Sequence, residues 1–263
     1  MTVLVGVRCQ DGVVIGADTA VTYGPIPDPA QATLEVPEGF KIAILCDSQV
    51  IVATTGETGL GQRFCKAVSD KFCSVQNAQR MPPITAMTEL ASKVRQDFDT
   101  TRSPWDRGWG LGALVGMPLA NSPRLAYFDW QNFRPELVGE TEGERFKTLP
   151  LVTMGGGQKL ADPFLAHAHR VLFGEAYFPT VKDARLLVAW TLSHVVRFNT
   201  GGVGGGIDIA VLEQADGKWK ASMYDQGEAL QAVAAIETYI RDFPSALAKD
   251  QAGAIDIKEE LKS

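Results

Sequence analysis

Histidine is scarce in this chain, with only His167, His169 and His194 in 263 residues. The first two stand two apart on a predicted helix, so they point to different faces and share a metal poorly. All three read as surface or capping residues. Without a placed imidazole, a Ser-His-Asp or Cys-His hydrolase is hard to build. Cysteine is scarce too. Cys9, Cys46, Cys65 and Cys73 form no CxxC pair and have no histidine at zinc spacing. Cys9 and Cys46 sit inside apolar runs and read as small buried hydrophobes. A chain of this length can hold a core without disulfides. No clustered carboxylate motif appears, so neither a metal nor a cofactor is expected. The N-terminus MTVLVGVRCQ lacks the charged and apolar parts of a signal peptide. The longest mostly apolar stretch, 186–196, is interrupted by Ser193 and His194 and is too short to cross a bilayer. These absences point to a reducing cytoplasm and away from membranes. There is no Lys/Arg run with interleaved aromatics, and the formal charge is −6, which argues against nucleic acid as a partner.

What is present is globular material, 45% hydrophobic and 21% charged. Residues 3–8 and 12–17 are β-branched runs around Asp11-Gly12, a hairpin signal. Residues 23–39, with four prolines and two glycines, read as a long loop, and strands are expected at 40–46 and 50–55. The period then changes to three and four over 58–78 and 84–101, predicting two helices, the second opened by Pro82-Pro83. Strands are expected at 109–117, 124–130 and 148–154, helices at 159–174 and 182–198, strands at 207–213 and 217–223, and a helix near 227–243. Strand hairpins alternating with consecutive helix pairs do not fit a doubly wound sheet. They predict an α+β fold with two antiparallel sheets face to face and helices outside. With no repeat or linker, 1–263 reads as one domain carrying a C-terminal extension from about 225 to 263.

Three glycine-rich stretches invite over-reading. Gly56-Glu57-Thr58-Gly59-Leu60-Gly61 lies between a strand and a helix, where a phosphate loop would sit, yet lacks its GK[ST] ending. Gly155-Gly156-Gly157 and the run from Gly201 to Gly206 likewise read as tight turns and close backbone approaches.

The chemistry concentrates at the start. Thr2 follows Met1, and removal of that methionine would leave a hydroxyl and a free α-amine on one residue. An unperturbed α-amine titrates near ~7.7–8.0, so part of it is neutral near pH 7 and can accept the hydroxyl proton. Lys41 on a core strand is costly to bury unless paired, and Asp18, expected on a neighbouring strand, offers the pair. A charged ammonium beside Thr2 would stabilise the developing alkoxide and keep the amine in its basic form.

Residues 2–22, TVLVGVRCQDGVVIGADTAVT, resemble the start of mature proteasome β-subunits and of the bacterial HslV peptidase. The shared features are the leading threonine, the VGV strand, the DG turn, an acidic residue sixteen places on (Asp18), and Val21-Thr22. The family's lysine then falls on Lys41, its glycine after the next strand on Gly56, and its last catalytic loop and strand on Gly204–Val211. The resemblance implies a four-layer αββα sandwich of the N-terminal-nucleophile (Ntn) hydrolase type. It implies a self-compartmentalising threonine peptidase, built of copies of itself in stacked rings and acting on unfolded protein or peptide. An ATP-dependent unfoldase is the partner class that feeds such chambers, though nothing in the sequence names one. Catalysis would fall to Thr2, Asp18, Lys41 and Gly56, the last as oxyanion donor. Backbone groups around Thr22 and Gly56 would hold the substrate as an added strand, and Val21, Gly39, Ala43 and Thr54 would line its main pocket, their small uncharged side chains suggesting apolar or small residues before the cleaved bond. The length and sequence best suit the branch called betaproteobacterial proteasome homologues.

The pattern breaks at two places. Gly156 stands where the family has a serine, and Asn199-Thr200 where it has an aspartate, so Gly156, Asn199 and Thr200 mark an altered auxiliary network. That departure keeps two alternatives open. One is a ring-forming scaffold with little peptidase activity; the other is a small-molecule amidase using the same Thr2, Asp18 and Lys41.

Overall fold

The two leading strands of the first sheet are covered on both faces, which is why their sequence runs apolar instead of alternating. β1 (Val3–Arg8) and β2 (Gly12–Asp18) form the predicted hairpin, with Cys9 N–H donating to the Gly12 carbonyl at 2.8 Å. The computed structural model describes residues 2–22, 33–35, 41–73, 81–100, 110–140, 149–174, 178–198, 202–225, 227–228 and 230–242. After the hairpin come β3 (Ala20–Thr22), β4 (Thr33–Glu35), β5 (Ile42–Leu45) and β6 (Val50–Gly56). Helices α1 (Thr58–Phe72) and α2 (Pro83–Asp99) follow, then β7 (Leu111–Leu119), β8 (Ser122–Phe128), β9 (Pro135–Leu137) and β10 (Leu151–Gly155). The order closes with α3 (Gln158–Phe173), α4 (Val181–Phe198), β11 (Ile207–Ala215) and β12 (Lys218–Met223).

Two five-stranded antiparallel sheets result, ordered β10-β1-β2-β11-β12 and β5-β6-β7-β8-β9, with β3 and β4 pairing separately. Between the large sheets lies an apolar layer in which Leu4, Ile15, Ala17 and Ala210 meet Ile42, Ile51, Ala53 and Leu114. On the outer face of the second sheet, α1 and α2 bury Phe64, Leu90 and Phe98 against Val115 and Phe128. Phe64 meets Phe128 and Phe133 edge to face there, and Phe128 and Phe133 lie tilted to each other, with ring centroids 5.2–5.5 Å apart. On the outer face of the first sheet α4 lies so close to β2 that a Cβ on Gly16 would stand 2.5 Å from Val188 Cγ1. The N-terminus of α4 is capped across the fold: Asp11 Oδ1 accepts from Val181 N–H at 2.8 Å, while Thr180 and Asp183 exchange bonds as a capping box. The layers therefore run helices, sheet, sheet, helices.

Several expectations are corrected. The segment read as one long loop contains β4, whose three residues pair with Ala20–Thr22; neither strand is long enough to show a period. β9 was not foreseen, being short and proline-led. Cys46 is no free hydrophobe but is bonded to Cys73, 27 residues on, with Cα atoms 4.5 Å apart. Cys9 is buried and Cys65 half-buried, both as thiols. His169 is buried, edge-on to Phe173, and His194 stacks on Phe164 at 4.0 Å, so neither is a simple surface residue. Residues 74–78 of the first predicted helix lie outside the described residues, as do 23–32 and 36–39 of the loop. The chain divides into two compact units, Met1–Gln226 and Gly227–Ser263. The second has a helical stretch at 230–242.

Candidate active site

Thr2 stands at the head of β1, an inner strand flanked by β2 and β10. Its backbone is gripped from the far side by the β10–α3 turn. Gly157 N–H donates to the Thr2 carbonyl at 3.3 Å, and a Cβ on Gly155 (φ +96°) would fall 2.2 Å from that same oxygen. Only glycine fits there, in both conformation and space. Gly155 and Gly157 thus form a seat for Thr2.

Asp18, fully buried at the end of β2, links the nucleophile strand to the lysine. Its Oδ1 accepts from Val3 N–H at 2.9 Å and from Lys41 Nζ at 2.7 Å; Oδ2 accepts from Gly204 N–H at 3.3 Å. The pair does not lie on neighbouring strands, as expected from sequence. Lys41 immediately precedes β5 in the opposite sheet, so the ion pair bridges the two sheets. Thr19 fixes the corner, donating its N–H to Gly206 carbonyl at 3.0 Å and accepting from Gly206 N–H at 2.7 Å. Burial lowers the Lys41 ammonium below its ordinary 10.5, against the pull of Asp18 and then of Asp208, which favour the charge.

Thr2, Lys41, Gly56 and Gly156 open onto one cavity of about 730 Å³. Val21, Ala43 and Thr54 line the same space. Gly56, at φ +111°, could not carry a side chain, since a Cβ would sit 1.9 Å from the Gly110 carbonyl oxygen. Thr55 and Gly56 run past the last β5 pairing, Ile42 with Ala53, on the cavity side of β6. The backbone of Thr22 pairs with Thr33, and Gly39, Asn199 and Thr200 lie outside the described residues. The sequence reading missed Glu57, Gln62 and Cys65, which complete the wall. The signal was available: Thr58, Gly61, Gln62 and Cys65 stand three or four apart on the predicted helix and share its inner face. They make the cavity more polar than the four small residues alone suggested. Burial pushes the Cys65 thiol up, so it stays protonated and is no competing nucleophile at neutral pH. A second cavity of about 570 Å³, walled by Trp130 and Met154, adjoins the first across Thr55, Gly56 and Gly156. No group of three or more His, Cys, Asp or Glu suited to a metal occurs among the described residues.

Fold and site together define a layered α+β protein whose first strand begins with a hydroxyl residue beside a buried Lys-Asp pair. The model of the family described as proteasome subunit matches residues 2–132, from that hydroxyl residue through β8. The match covers just under half of the chain and supports a likeness to proteasome β-subunits over those residues. Members of that family are usually hydrolases and form stacked rings of their own copies. No curated protein matches the chain.

Proposed function

We propose that this chain is a proteasome-like threonine peptidase whose nucleophile is Thr2 once Met1 is removed. One observation carries the reading: Thr2 shares a cavity with Lys41, while Asp18 bonds both Lys41 and the amide that follows Thr2. In the proposed reaction Thr2 Oγ attacks a peptide carbonyl and its own α-amine takes the proton. The Lys41 ammonium stabilises the alkoxide as it forms. The Gly56 N–H donates to the oxyanion, a contribution of a few kcal/mol in comparable sites. The C–N bond then breaks, the amine product leaves with the proton, and water hydrolyses the threonine ester to release the acid. Substrate lies as an added strand between β3 and the end of β6, its side chain before the cleaved bond in the larger cavity and its departing segment toward the second. The wall of Thr54, Thr58 and Gln62 admits small or uncharged polar side chains there.

The ring assembly, the betaproteobacterial branch, an unfolded-protein substrate, an unfoldase partner and a cytoplasmic location belong to the same proposal. Gly156 on the cavity wall, in place of a serine, favours the scaffold reading as the alternative. A peptide epoxyketone decides between them, because it needs a hydroxyl and a free amine on one terminal residue. One adduct by intact mass on protein lacking Met1, absent in Thr2→Ala, supports the peptidase. No adduct on such protein moves the assignment to the scaffold. Native mass distinguishes both from a monomeric or dimeric amidase.

A further inference from the structure

Asp18, Lys41 and Asp208 are the Asp, Glu, Lys and Arg side chains found buried among the described residues. They gather at one end of the inter-sheet layer. Asp208 is the second residue of β11, whose inward face continues with Ala210 and Leu212 into the apolar layer between the sheets. Its pairing sets it opposite Ala17, one step from the pairing of Ile207 with Asp18. Lys41 reaches the same end from the other sheet, beside Ile42 of that layer, and its carbonyl is held by Thr54 N–H at 3.1 Å. At 4% exposure the Asp208 carboxylate has lost most of its hydration, so its charge is little screened from charges buried beside it.

We infer that Asp208 is a positioning residue of this site, a second carboxylate that holds the Lys41 ammonium charged and in place from the β11 side. The charged groups acting on Lys41 are then Asp18 from β2 and Asp208 from β11, joined by the Thr2 α-amine once Met1 is gone; both carboxylates favour the ammonium against its burial. The sequence has no aspartate before the final glycines, at Asn199-Thr200, where the resemblance led one to be expected. Asp208, just past those glycines, brings a second carboxylate into the cluster. Its catalytic consequence rests on the peptidase reading; its electrostatic one does not.

The test separates the two. The full chain is labelled with trace acetic anhydride across a pH series, and Lys41 acetylation is read by peptide mass spectrometry. Only the neutral amine reacts. Asp208→Asn raises Lys41 labelling near pH 8 about threefold or more over wild type and moves its midpoint to lower pH, while Asp208→Glu stays near wild type. An unchanged Asp208→Asn profile overturns the inference, whether or not the wild type cleaves peptides. In an active protein the same variant also moves the alkaline limb of kcat/KM to lower pH with the acid limb in place. If Asp208→Asn does not fold, Lys41→Met/Asp208→Asn is compared with Lys41→Met. A higher melting point for the double variant supports the coupling, because removing one charge then relieves the other's loss. A double variant that melts no higher overturns it.

Discussion

Lys41 is the residue on which pH dependence turns. Its buried ammonium titrates below 10.5, so the unfolded chain keeps that proton to higher pH than the folded one. Between the two values stability rises with pH, since the unfolded state then binds more protons. Activity runs the other way on that limb. If the charged ammonium is required, kcat/KM rises through the α-amine's titration near ~8 and falls again at a pH below 10.5. Lys41→Arg, which does not lose its proton in this range, shifts the alkaline limb upward while keeping the acid limb, read from a kcat/KM profile with a fluorogenic peptide. An alkaline limb unchanged by that substitution would assign it to another group. Asp18→Asn leaves the lysine short of its contacting carboxylate and unsettles the head of β1 at once. A loss of roughly 3 kcal/mol by thermal or denaturant melting is expected, in the range for breaking a buried pair.

At the scale of the element, the β10–α3 turn and the start of α1 contain glycines with opposite roles. A methyl at Gly155 would collide with the Thr2 carbonyl and force a side chain into φ +96°. Gly155→Ala is therefore expected to lower kcat/KM on the order of a hundredfold, since small displacements of a nucleophile cost that much. Gly59, exposed on α1, has no atom within 4 Å of an added Cβ. Gly59→Ala should raise stability by about 0.5 kcal/mol with activity unchanged. If both variants melted and turned over alike, the turn would not be the seat described here. The sequence made both elements visible, because an apolar run ending in glycines and a three-four period are local signals. It could not say which glycine touches another chain segment.

Across the whole molecule, the aromatic cluster and the disulfide tie the second sheet to its helices. Phe133 is fully buried among Phe64, Phe98 and Phe128. Phe133→Ala should cost about 3–5 kcal/mol through lost burial and the cavity left behind. The Cys46–Cys73 bond joins the β5–β6 turn to the end of α1, closing 27 residues of chain. In the chain-entropy account such a loop is worth about 3.5 kcal/mol, so dithiothreitol should lower the melting temperature of the wild type and leave Cys46→Ser/Cys73→Ser unaffected. Disulfides of this kind are rare in reducing compartments, which sets this bond against the cytoplasmic location proposed from cysteine usage. Thiol counting by alkylation of freshly lysed cells resolves it: two free thiols mean the bond forms in the cell, four that it does not.

The sequence by itself determined what is local. The β1–β2 hairpin follows from Asp11-Gly12 between β-branched runs, and α1 to α4 from their apolar period. Thr2, Asp18, Lys41 and Gly56 were legible because their spacing matches a family pattern in an unbroken stretch of chain. Tertiary structure alone decided what depends on strand order. That Lys41 meets Asp18 across two sheets, that Asp208 joins them from β11, and that Cys46 lies beside Cys73 all follow from which strands pair. Strand pairing leaves no local mark, because an apolar strand is equally content beside several neighbours until the whole core selects one.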